Sequence, residues 1–253
     1  MKHYKCRTKE QKGDTMDLKP KERLVLPLDV GSLDEAKEII DELKESAGVF
    51  KVNSLFTKCG TAVIEEIQKA KCKTFLDLKF HDIPNTVANY ARAAARLGVY
   101  MFNVHCSGGV EMMKAAAEGA EDEAETMGFD RPLVLGVTVL TSTGRETMNN
   151  ELRIEGSVEE QVVHLAKLAK KAGLDGVVAS AKEVRPIRDA CGDDFVILTP
   201  GIRPSWSAKD DQKRVVTPAD AISNGSDFIV IGRPILNAEN RKEAAKKVVE
   251  EMG

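Results

Sequence analysis

Eight short apolar runs recur from residue 24 onward, and they restrict the fold more than any other feature of the chain. They cover residues 24–30, 49–53, 74–80, 101–105, 133–140, 176–179, 195–200 and 228–231. Each is continuous rather than alternating, the pattern of parallel strands buried on both faces. Segments of helical period lie between them. Leu33–Leu43 carries apolar residues at 33, 36, 39, 40 and 43, and residues 158–172 and 238–252 behave similarly. Eight strand–helix units predict an α/β protein of the (β/α)8 TIM-barrel class, and 253 residues suit one such barrel as a single domain. A doubly wound open sheet is the competing fold. It calls for Gly-x-Gly-x-x-Gly after the first strand, where Asp29-Val30-Gly31-Ser32 stands instead. No linker divides residues 23–253, the expected barrel domain. Residues 1–22 are polar and without period, and are expected to form a disordered tail.

Composition removes several function classes. A net charge of -3 leaves no basic footprint for nucleic acid. No apolar run approaches the roughly 18 residues of a membrane span. The start, Met1-Lys2-His3-Tyr4-Lys5, leads into further charge and does not read as a secretory signal. The five cysteines (Cys6, Cys59, Cys72, Cys106, Cys191) are odd in number and scattered without a Cys-x-x-Cys pair. That pattern speaks against a disulfide framework or zinc knuckle and for a reducing cytoplasm.

Barrel enzymes work at the C-terminal ends of their strands, and the polar residues gather there. Asp29 follows the first run, Lys51 lies in the second, and the third ends in Asp77-Leu78-Lys79-Phe80-His81-Asp82-Ile83-Pro84-Asn85-Thr86. Asn103 and His105 close the fourth run; Thr141 and Ser142 follow the fifth. Charges at the end of an apolar strand are costly to bury, so packing alone does not account for Asp77 and Lys79. On a strand these two share one face and Leu78 and Phe80 the other. The bland readings are an internal ion pair orienting the strand, Asp82 as a helix-start acid before Pro84, Asp29 as a helix cap, Thr141 and Ser142 as loop caps, and His81 and His105 as packed or hydrogen-bonded histidines. His81 with Asp77 and Asp82 matches no strong metal-ligand spacing, so no metal is expected.

The last two runs carry the second signal. Pro200-Gly201-Ile202-Arg203 and Ile231-Gly232-Arg233-Pro234 each place a glycine and an arginine after a strand. Glycine lets backbone amides approach an anion, arginine offers a fork matched to phosphate oxygens, and these loops are where barrels often bind phosphate. Turn chemistry plus a surface charge is the plain alternative. Residues 204–215, containing Trp206 and Gln212, form a polar loop long enough to close over a ligand.

The stretch from Asp77 to Thr86 closely resembles the signature of the orotidine 5′-phosphate decarboxylase family. The resemblance extends through Leu28-Asp29-Val30, Phe50-Lys51-Val52, Asn103-Val104-His105 with Ser107-Gly108-Gly109, Val139-Leu140-Thr141-Ser142, Asp175-Gly176-Val177-Val178 and the two Gly-Arg loops. It implies a homodimeric barrel that converts orotidine 5′-monophosphate to UMP without metal or organic cofactor. It further implies that Lys51, Asp77, Lys79 and Asp82 form the charged catalytic network, with Asp82 and Thr86 reaching into the neighbouring subunit's site. Asp29 and Lys51 would hold the ribose, Thr141 and Ser142 the pyrimidine, and Arg203, Gln212, Gly232 and Arg233 the phosphate. Loss of CO2 from C6 leaves an anion with little delocalisation, so an ammonium placed there both stabilises charge and delivers a proton; Lys79 is the candidate. Two other readings stay open. Related sugar-phosphate enzymes share Asp77-x-Lys79-x-x-Asp82 but use magnesium, and a silent nucleotide-binding barrel is the non-enzymatic alternative.

Overall fold

The computed structural model describes residues 18–207 and 216–253. Among the described residues, parallel strands β1 (Leu24–Pro27), β2 (Val49–Val52), β3 (Lys73–Phe80), β4 (Met101–His105), β5 (Leu133–Val137), β6 (Gly176–Val178), β7 (Val196–Pro200) and β8 (Phe228–Val230) pair in sequence order. The register Val25↔Val230 between β1 and β8 closes the barrel. The fold is the expected (β/α)8 barrel. β1 and β5 end earlier than their apolar runs. Beyond them the Leu28 and Thr138 N–H groups each donate to a neighbouring strand, at 2.9 and 3.2 Å, before the chain turns into loops.

Helices α1 (Pro20–Arg23), α2 (Leu33–Leu43), α3 (Ser54–Cys59), α4 (Ala62–Lys69), α5 (Pro84–Arg96), α6 (Gly109–Met127), α7 (Val158–Lys171), α8 (Val184–Cys191), α9 (Pro218–Ser223), α10 (Arg233–Leu236) and α11 (Arg241–Glu251) lie between or flank the strands. Their starts follow local chemistry. Ser32 and Ser157 accept N–H bonds from Glu35 and Glu160, and Pro84 opens α5 where a missing N–H removes an orphan donor.

The polar-tail boundary at residue 22 needs correction. Lys21 O accepts the Gly48 N–H at 2.8 Å, Glu22 pairs with Lys73 at 3.5 Å, and Leu18 packs under the barrel. Residues 18–22 therefore belong to the folded unit, while residues 1–17 lie outside the described ones.

Two apolar clusters divide the core. The smaller joins Val25, Val49, Phe75, Met101, Leu133, Leu135, Val196, Leu198 and Phe228, drawn from the strands alone. It therefore fills the barrel interior. The larger contains the helix residues together with the opposite strand face, including Phe50, Leu76, Phe102 and Ile229. Strand periodicity then fixes what stands above the interior plug, two residues along each strand: Lys51 after Val49, Asp77 after Phe75, Asn103 after Met101. On the other side of the ring the equivalent residues are Val137 on β5, Pro200 on β7 and Val230 on β8. The polar inward residues therefore sit together on β2, β3 and β4.

At the opposite end of the barrel, two aspartates fasten neighbouring strands. Asp175 accepts the Val134 N–H and pairs with Arg131 at 2.6 Å; Asp227 accepts the Ile197 N–H and pairs with Arg188 at 2.6 Å. That end reads as stability and leaves the mouth for chemistry.

Candidate active site

Asp77 is the hub of the mouth. It is 7% exposed, with Lys51 at 9% and Asn103 at 1%. One carboxylate oxygen, Oδ1, accepts from Lys79 Nζ at 2.6 Å and from Asn103 Nδ2 at 2.7 Å. The other faces Lys51 Nζ at 3.1 Å, and Lys51 in turn lies 3.8 Å from Asp29. Two ammonium groups and an amide thus compensate one buried carboxylate, as burial of a charge requires. The charges alternate Asp29, Lys51, Asp77, Lys79 across three adjacent strand ends.

Lys79 reaches this position through an unusual backbone. Its φ is +52°, a left-handed conformation that costs a side-chain-bearing residue about 1–2 kcal/mol. The β3–β4 register shifts between Leu76 and Phe80, so Lys79 sits in the irregularity. Its N–H, displaced from the ladder, donates to Asn103 Oδ1 at 2.8 Å. Leu78 and Phe80 pack outward as the strand pattern predicts, Phe80 against the rings of Tyr90 and Phe102 at 5.0 and 5.8 Å. Asn103 carries no role in the sequence reading. Its signal was a buried-face amide two residues after Met101, level with Asp77.

His105 continues the inward face of β4, half-buried, with its ring 5.5 Å from that of His81. Burial, then the charges of His81 and Lys79, push its pKa below the ordinary imidazole range, against a smaller opposing pull from Asp77. The unfolded chain therefore binds the proton more readily than the folded one. Stability is full above about pH 6.5 and falls as pH drops through the depressed folded value. His105→Asn is expected to flatten the fall in Tm between about pH 7 and about pH 5, read by thermal unfolding at each pH. An unchanged slope would remove His105 as its source.

The remaining predicted residues separate into groups. Asp82 is exposed, and its carboxylate accepts the Ile83 N–H at 2.6 Å at the start of α5. Among the described residues it reaches neither Lys79 nor Lys51. Thr86 lies one turn on, partly exposed, beside Ile83 (66% exposed) and Tyr90 (39% exposed). Thr141 and Ser142 occupy an exposed turn after β5. Arg203 and Arg233 stand above β7 and β8, four places round the ring from β3 and β4. Neither guanidinium has a carboxylate partner among the described residues. The Arg203 N–H joins the Val216 carbonyl at 3.1 Å, so the ends of loop 204–215 meet; Gln212 itself lies outside the described residues. Gly201 needs its φ of +80°, and a Cβ on Gly232 would come within 2.7 Å of the Pro27 ring. Close packing on β1 thus explains Gly232 as well as any anion does. The mouth presents acids and lysines on one side and, on the other, arginines without a carboxylate partner among the described residues, a shape suited to a ligand with a reacting group at one end and an anion at the other.

A model of the orotidine 5′-phosphate decarboxylase / HUMPS family matches residues 22–248. The chain belongs to this family. Its relatives include the orotidine 5′-phosphate decarboxylases of Heliobacterium modesticaldum, 51% identical over 93% of this chain and 97% of the relative, and of Geotalea daltonii, 50% identical over 91% and 95%. Among solved structures, orotidine 5′-phosphate decarboxylase from Lactobacillus acidophilus superposes with a TM-score of 0.82 at 38% identity, covering 92% of this chain and 99% of that one. An uncharacterized conserved protein from Geobacillus kaustophilus gives 0.80 at 36%, over 91% and 100%.

Proposed function

We propose that this chain is a lyase that decarboxylates orotidine 5′-monophosphate to UMP in pyrimidine biosynthesis. The observation that carries the reading is the Lys51–Asp77–Lys79 cluster, held by Asn103 at the mouth of a barrel of this family. In the reaction the C6–carboxylate bond breaks, CO2 departs, and the electron pair left on C6 takes a proton from Lys79 Nζ. Lys79 is then reprotonated from solvent. Asp77, hydrogen-bonded to that ammonium, fixes where the proton waits. It also crowds the substrate carboxylate. At about 4 Å the repulsion is roughly 4 kcal/mol at an effective dielectric near 20, a minor part of the barrier, and the stabilised C6 anion carries more.

Asp29 and Lys51 bind the ribose hydroxyls, Thr141 and Ser142 the pyrimidine, and Arg203, Gly232 and Arg233 the phosphate, with Gln212 on the intervening loop. Asp82 and Thr86 serve the neighbouring subunit of a homodimer. The support is that among the described residues the Asp82 carboxylate takes the Ile83 N–H and pairs with neither lysine of its own site, and that the apolar side chains of Ile83 and Tyr90 are exposed on the same segment. Among the described residues the cysteines Cys59, Cys72, Cys106 and Cys191 are unpaired, which supports a cytoplasmic enzyme. The chemistry uses no cofactor, since protonated lysine supplies both charge and proton.

The competing reading is a magnesium-dependent sugar-phosphate enzyme of related type, and the geometry at Asp77 supports the nucleotide enzyme instead. Both oxygens of Asp77 are already taken up by Lys51, Lys79 and Asn103, which leaves that carboxylate a poor metal ligand. The test is purified protein with orotidine 5′-monophosphate in excess EDTA, followed by loss of pyrimidine absorbance. Turnover supports the reading. No turnover, with magnesium-dependent conversion of a hexulose 6-phosphate or keto-gulonate 6-phosphate, rejects it.

A further inference from the structure

A closed ring of hydrogen bonds runs from the Lys79 backbone to its own side chain. The Lys79 N–H donates to Asn103 Oδ1 (2.8 Å), Asn103 Nδ2 donates to Asp77 Oδ1 (2.7 Å), and the same oxygen accepts from Lys79 Nζ (2.6 Å). The amide's orientation follows from its neighbours, because its acceptor must face an N–H and its donor a carboxylate. Asn103 is 1% exposed, so neither bond is open to exchange with water. Two facts then need one cause. Lys79 holds a left-handed φ of +52° without being glycine, and its N–H lies in a break of the β3–β4 register. Left to itself, a lysine there would relax toward the extended region, gaining about 1–2 kcal/mol and carrying Nζ away from Asp77.

We propose that Asn103 is a positioning residue: by capping the displaced Lys79 N–H and fixing Asp77 at the same time, it holds the ammonium at the reacting carbon. The proposal rests on the reading of Lys79 as the proton donor. Asn103 touches neither the phosphate side nor the ribose side, so its effect falls on the chemical step rather than on binding. Either half of the amide alone is insufficient. Without the acceptor the N–H is buried unpaired, and without the donor Asp77 loses a bond that orients its oxygen toward Lys79.

Two variants test this. Asn103→Ala removes both bonds and is expected to lower kcat on orotidine 5′-monophosphate about 10²-fold, the effect of misplacing a reacting group by about 1 Å, while KM changes by less than about threefold. Asn103→Asp keeps the shape and the acceptor for Lys79 N–H but sets a second carboxylate against Asp77. One of the two must then hold a proton, so the acid limb of the kcat profile moves to higher pH, which a merely structural role would not produce. Wild-type kcat in Asn103→Ala overturns the proposal, as does an Asn103→Asp profile superimposable on wild type. Should Asn103→Ala fail to fold, the Asn103→Asp profile decides alone. If the wild-type protein itself turns over no orotidine 5′-monophosphate, the functional reading fails separately. The positioning role is then read from crystal structures of both variants: a negative φ at Lys79 in Asn103→Ala together with a retained positive φ in Asn103→Asp supports it. A φ still near +52° in the alanine variant overturns it.

Discussion

Lys79→Ala is expected to lower kcat for orotidine 5′-monophosphate by at least on the order of 10⁴, with the protein folded. The size follows from the two roles proposed for one atom. Proton delivery by a positioned group contributes about 10²–10⁴, and a preorganised charge facing a developing anion contributes about 10²–10³. Folding survives because Asp77 keeps compensation after the change: Lys51 remains at 3.1 Å and the Asn103 amide at 2.7 Å. Relief of the left-handed backbone at residue 79 is small beside this, since alanine bears the same restriction. The measurement is single-turnover decarboxylation beside a thermal melt. A Lys79→Ala enzyme within about tenfold of wild type would mean that another group protonates C6, and the proposed mechanism would fall with it.

Arg233→Ala is expected to lower kcat/KM by about 10²–10³ and to leave Tm nearly unchanged. Arg233 is exposed at the start of α10 and has no carboxylate partner among the described residues, so its removal leaves no buried charge and opens no cavity. In its proposed role the guanidinium clasps two phosphate oxygens, and charge-assisted bonds are worth about 1.5–3 kcal/mol each. The phosphate is remote from C6, yet binding realised there can assemble the mouth around the pyrimidine; the loss therefore includes kcat as well as KM. Steady-state kinetics on the variant, with a melt as control, checks both halves. Unchanged kcat/KM removes the phosphate assignment, and a large Tm loss with little kinetic effect would make Arg233 a structural residue.

Much of this molecule is legible in the chain because burial on both faces writes parallel strands as plain apolar runs. Met101–His105 coincides with its run, and Leu33–Leu43 with its helical period, since in each the local pattern and the packing demand agree. The misreadings lie where partners come from far along the chain. Residues 18–22 look like polar tail, but their backbone and side-chain partners are Gly48 and Lys73. Pairing Asp77 with Lys79 needs only the period of a strand. Asn103 needs the β3–β4 register, and the left-handed Lys79 needs the irregularity in that register; neither is written in residue types. Gly232 is a case of two causes behind one residue, for a glycine that suits an anion also has to clear Pro27.

The β3–α5 segment is proposed to serve two sites at once, Lys79 its own and Asp82 the neighbour's, and subunit mixing tests this most directly. Lys79→Ala and Asp82→Asn proteins, each nearly inactive alone, are unfolded together, refolded and assayed on orotidine 5′-monophosphate in EDTA. Random pairing makes half of the dimers hybrids, and each hybrid has one site with both residues intact, so about a quarter of wild-type activity returns. No recovery, with hybrid dimers shown to have formed, would contradict the shared site.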